Sequence, residues 1–223
     1  MVAMQQLSNS QNGFGGDLRF GETGAGAGLR GADKLCAAIA ERSMPGSSVK
    51  QWRAFLSVSA DANGQPVNAI DRIGNGPWYD RLGRLMANQK SELLAQRPAV
   101  ADAAIRRDLP NEDGVPNNAP NGTIVDNHDT MTGSDTLGRL QAGGAPCANF
   151  TTTSTAGTVR PMAGHSWPRA GQTTNDGAHW ISAHQVPGCA AGITITNSGG
   201  GMGSVTVGGA GGYGGIYCFA LSP

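Results

Sequence analysis

Residues 211–223 read GGYGGIYCFALSP. Ile216 to Ala220 carry side chains that suit a half-buried strand, and the glycines ahead of them cannot build a core of their own. A chain end frays unless something ties it down. The stretch is therefore expected to pair into a sheet whose other strands come from far upstream. Cys218, in its middle, then needs a partner.

Three other cysteines are available: Cys36, Cys147 and Cys189. An even count fits two disulfides, with three connectivities open. The absence of any C-x-x-C pair argues against a zinc ribbon or a thioredoxin-type redox site. Two disulfides place the chain in an oxidising compartment, extracellular or at the cell surface. The opening MVAMQQLSNSQNGFGG lacks the basic-then-apolar layout of a signal peptide, so an exported protein is read as having lost its signal. No run of eighteen apolar residues occurs, so no membrane insertion is expected. Sixteen Lys+Arg balance sixteen Asp+Glu. A neutral chain has no electrostatic reason to take nucleic acid as a partner.

Only 5% of the 223 residues are aromatic and 35 are glycine, which implies a sparse core and many irregular connections. Residues 1–26 read as an N-terminal arm with a candidate first strand around Asp17–Phe20. Residues 27–223 read as one domain. In GAGAGLRGADKLCAAIAERS, Leu35, Cys36, Ile39 and Ala40 recur on one face, so this is an amphipathic helix with Cys36 toward the core and Asp33 near its cap. QWRAFLSVS has the alternation of a strand, DANGQPVN is a turn, and GPWYDRLGRLMA reads as two short strands around a turn at Gly83. SELLAQRPAVADAAIRRDL is a second helical stretch, interrupted or restarted at Pro98. Residues 110–144 are dense in Asn, Asp, Gly and Pro, and read as a long, exposed, functional loop.

LRGADKLCAAIAERSMPGSSVKQWRAFLS resembles the opening of endostatin-like domains, in which a Gly-Ala-Asp step leads into a cysteine-bearing helix and then a strand. DRIGNGPWYDRLGRLMAN, CANFT around Cys147, the Trp180-to-Cys189 stretch and the final IYCF are similar to later segments of bacterial members. The resemblance covers residues 27–92 and 147–221. It implies an α+β fold of the C-type-lectin-like superfamily: two helices around a twisted, mostly antiparallel sheet, long irregular loops and two nested disulfides. Carried over residue by residue, it pairs Cys36 with Cys218 and Cys147 with Cys189. The outer bridge would contribute about 5 kcal/mol by loop-closure entropy. The family's N-terminal zinc histidines have no counterpart, because residues 1–30 contain no histidine.

Glu-Pro-Asn-type sugar motifs are absent; QPVN at Gln65–Asn68 is a poor match. Asp126, Asn127, Asp129 and Asp135 supply hard oxygens at loop spacing and form a candidate calcium site. The four histidines, His128, His165, His179 and His184, show no H-E-x-x-H spacing and read as structural hydrogen-bonding residues. Ser166 lacks a nucleophile elbow, and the glycine-rich 199–215 stretch lacks the G-K-[ST] of a phosphate loop. With all four cysteines in bridges, formylglycine-type oxidase chemistry has no thiol to use. These features describe a non-enzymatic binding or adhesion domain for a protein or glycan partner, able to join an oligomer or assembly. Contacts are expected from Asn117, Asn118 and His128, with Trp167 and Trp180 as exposed aromatics. The alternative is a structural subunit of a surface layer or appendage.

Overall fold

Two helices precede the first strand: α1 (Val2–Ser8) and α2 (Ala27–Ser43). The computed structural model describes residues 1–118, 127–168, 179–195 and 204–222. Helix α1 falls in the segment read as an N-terminal arm; Ala3 and Met4 bury against Ile39 of α2. Of the early strand only an isolated bridge, Asp17 to Thr151, is present. Helix α2 begins earlier than expected, so Asp33 is mid-helix rather than at the cap. Its carboxylate accepts the Ala54 N–H at 2.9 Å and pairs with the largely buried Arg72, which locks the helix to the first strand.

The strands are short: β1 (Trp52–Ala54), β2 (Trp78–Tyr79), β3 (Leu85–Ala87), β4 (Asp129–Met131), β5 (Met162–His165), β6 (His184–Gln185), β7 (Gly212–Ile216) and β8 (Cys218–Ala220). They form three sheets: β1–β8, the hairpin β2–β3 around Gly83, and β6–β5–β4–β7. In the last, β4 runs parallel to β7 and antiparallel to β5. The chain's final stretch thus serves two sheets, with β7 beside β4 and β8 against β1. Cys36–Cys218 staples that stretch to α2, and Cys147–Cys189 makes the inner bridge. The molecule is a mixed helix-and-sheet protein with both cysteine pairs that the resemblance implied.

The second helical stretch is broken into α3 (Lys90–Leu93) and α4 (Ala103–Arg107). Pro98 and the Asp102 cap, whose Oδ1 accepts the Ala104 N–H at 2.8 Å, separate them. Five of the twelve aromatics, Phe55, Trp78, Trp180, Tyr217 and Phe219, go into one cluster. Phe55 lies 5.2 Å from Trp180 and 5.8 Å from Phe219, ring centre to ring centre. Trp78 is buried, and Trp52 is half-buried.

Four loops share one construction. Asp61, Asp80, Asn111 and Asp135 each use a side-chain Oδ1 to accept the N–H groups two and four residues on. In each, the fourth residue is a glycine with φ between 69° and 76°, the left-handed region that closes the turn. The signature is [DN]-x-x-G-x.

Residues 110–144 depart from the expected surface loop. Asn111 and Asp135 head exposed turns, but between them Asp129, Thr130, Met131, Thr132 and Ser134 are buried. Strand β4 is an inner strand of the largest sheet, so this polar stretch is part of the core.

Candidate metal centre

Register brings the site together. Asp129 opens β4 directly opposite His165, the last residue of β5. His184 opens β6 opposite Ala163, two residues before His165. Residues two apart on a strand share a face, so three neighbouring strands each present one polar side chain at the same end of one face. His128 lies just outside β4, free of the strand's alternation, and its ring turns to the same side.

The three imidazoles converge on a single oxygen. Asp129 Oδ1 lies 3.2 Å from His128 Nε2, 3.4 Å from His165 Nε2 and 3.0 Å from His184 Nε2. One donor atom from each of the four residues lies within 4.8 Å of the other three. His128, Asp129 and His165 are each 2% exposed, whereas the His184 side chain is 36% exposed and forms the rim. Burial alone would push the Asp129 carboxyl up. Hydrogen bonds from His165 and His184, with the charges of His184 and His128, reverse this and hold it well below the usual carboxylate range. Asp129 Oδ2 is also buried, with no hydrogen-bond donor among the described residues.

The surroundings fix these side chains through their backbones. Arg97 donates from Nη1 to the His165 carbonyl at 2.5 Å, from Nη2 to the Ser166 carbonyl at 2.6 Å and from Nε to the Arg106 carbonyl at 2.9 Å. The Ser166 N–H donates to the His128 carbonyl, and the His165 N–H to that of His179. Trp167 stands edge-on to His128 at 5.5 Å and donates its indole N–H to Asn127 Oδ1 at 3.0 Å. Gly164 is required here: a Cβ would sit 1.7 Å from the Trp180 carbonyl oxygen. Only glycine lets the 179–184 segment close onto β5 and deliver His184.

Three nitrogens and one carboxylate oxygen are a donor set for a transition ion. Metal–ligand bonds of about 2.0–2.1 Å in a tetrahedron leave donor atoms about 3.3 Å apart, and the three spacings to Asp129 Oδ1 match. Calcium takes six to eight oxygens, which this cluster does not offer.

The candidate calcium residues are not brought together as such. Asp129 joins the imidazoles, Asn127 accepts from Trp167, Asp135 is occupied by its own turn, and Asp126 lies outside the described residues. Three of the five expected contact residues also need correction. His128, Trp167 and Trp180 are buried, because the aromatics go to the core and to the histidine cluster rather than to a surface platform. Asn117 donates to the Leu109 carbonyl, and the Asn118 N–H donates to Asp108. His165 and His184 were missed because each sits alone in sequence; the available signal was a histidine at the end of each of two short strands, beside an acid in a third.

No protein-family model matches the chain, and no curated protein matches it significantly.

Proposed function

We propose that this is an exported, non-enzymatic binding domain whose His128–Asp129–His165–His184 centre holds a divalent transition ion of the zinc class. The convergence of three imidazole nitrogens on one buried carboxylate oxygen carries the reading. Four protein donors are the number a structural site uses, whereas catalytic sites keep one position for water or substrate. The ion would pin β4, β5 and β6 together at one end. Both cysteine pairs are oxidised, which supports export and leaves no thiol for oxidase chemistry.

The finer fold we propose is the endostatin-like branch of the C-type-lectin-like superfamily, supported by the nested bridges and by the pairing of β8 with the far-upstream β1. The partner is a protein or glycan at a cell surface. Tyr79 and Leu82 on the β2–β3 hairpin and Val115 on the adjoining Asn111 turn are exposed apolar residues, and they are the contact surface in this reading. Among the described residues, no helix is long and apolar enough to cross a membrane.

The test is metal stoichiometry after chelation and reconstitution with zinc, cobalt(II), manganese(II) or calcium. One equivalent of zinc or cobalt, lost in Asp129→Ala and in His165→Ala, is the expected result. Substoichiometric metal in all cases, or calcium alone, would overturn the proposal.

A further inference from the structure

A cleft of about 720 Å³ opens on the face of β4 turned away from the histidines. Successive strand residues face opposite ways, so Thr130 lines this cleft while Asp129 points to the metal centre. Its walls are largely apolar, drawn from Ile39, Ile73, Trp78, Ile105 and Phe219. Its volume falls within the range of small-molecule sites.

Thr130, Ser166 and Tyr217 all line the cleft: the Tyr217 hydroxyl lies against the Thr130 side chain, and the Ser166 N–H donates to the carbonyl of His128, two residues before Thr130. Ser166 is 3% exposed, and its Oγ is buried with no hydrogen-bond partner among the described residues, although its N–H and carbonyl are both engaged. The Tyr217 hydroxyl is buried beside Thr130, and burial keeps it a neutral phenol. The nearby Arg97 guanidinium is committed to the carbonyls of His165, Ser166 and Arg106. Charged side chains such as Arg81 and Glu112 also line the cleft, but on segments other than this hydroxyl group. A buried hydroxyl without a partner is costly, and a ligand atom that bonds it offsets that cost.

We propose that the cleft binds an elongated, uncharged small molecule, apolar along its length, with one hydrogen-bonding end seated against Ser166 and Tyr217. This is independent of whether the histidine centre holds metal.

The experiment uses the full chain with both disulfides formed, and the neutral fluorophore N-phenyl-1-naphthylamine as probe. Saturable one-to-one binding is expected, with 1-dodecanol displacing the probe at least tenfold better than dodecane. Ile39→Trp, which fills the cleft, should weaken probe binding at least tenfold; if that variant does not fold, Ala40→Leu serves the same purpose. Ser166→Ala should keep probe binding and bring the alcohol and alkane to within about threefold. No saturable binding by the folded chain, or binding unchanged by cleft filling, would overturn the site. An alcohol preference unchanged in Ser166→Ala would overturn the assigned polar end.

Discussion

Asp135 and Asp129 lie in one polar stretch and are held in opposite ways. Asp135 heads an exposed turn and spends its oxygen on two N–H groups of its own loop, as do Asp61, Asp80 and Asn111 elsewhere. Asp129 is buried in an inner strand and is served by its neighbour His128 together with His165 and His184 from distant segments. Composition alone does not separate the two. What separates them is whether the carboxylate's partners are local, so that the residue can stay in water, or long-range, so that it is buried only after the sheet forms.

The largest effect should come from removing β4. Replacing residues 115–140 with a short Gly/Ser linker takes an inner strand out of the main sheet. No folded product with both native disulfides should be recovered, as read by non-reducing peptide mapping. A folded variant would mean that the stretch is a loop after all.

Next comes Asp129→Ala, which strips the shared oxygen from three imidazoles. Breaking a buried charged cluster costs about 3–5 kcal/mol, so the urea midpoint should fall sharply. Asp113→Ala, exposed in the same stretch, should stay within about 0.5 kcal/mol. Equal effects would erase the distinction.

Arg97→Met tests support from behind the site. It removes three bonds to carbonyls, including that of His165, without touching a ligand atom. Metal affinity should drop about tenfold while stoichiometry stays at one. Unchanged affinity would show that the clamp does not position the ligands.

The smallest effects belong to the turns. Asp135→Ala loses two hydrogen bonds at the surface and should cost about 1 kcal/mol in urea unfolding. Asp135→Asn should be nearly silent, because Asn111 already performs the same task in its own loop. A large loss in Asp135→Asn would give that charge a role beyond its turn.

The same contrast explains what the sequence disclosed. The Gly83 hairpin was legible because its aspartate, glycine and flanking strands are neighbours in the chain. Helix α2 was legible from its apolar face, although its start was not: Gly26 precedes it with no side-chain cap to mark the boundary. The cysteine pairing came with the family resemblance, since four cysteines alone leave three pairings open. Strand β4 was not legible, because Asp129, Thr130 and Met131 in a run of Asn, Asp and Gly look like a loop until a sheet closes on both sides. The histidine centre was hidden for the same reason. His128 and Asp129 are adjacent, but His165 and His184 join them only through the β4–β5–β6 register.

Cobalt(II) titration of chelated protein, followed by a thermal melt, tests the metal centre most directly. One equivalent should bring in the visible absorption of a four-coordinate cobalt site with nitrogen ligands. Ion at about 100 times its dissociation constant adds about 2.7 kcal/mol, a rise of roughly 5–10 °C in Tm. Both signals should vanish in Asp129→Ala while the two disulfides still form. A featureless spectrum and an unchanged Tm in the wild-type chain would contradict a metal at His128, Asp129, His165 and His184.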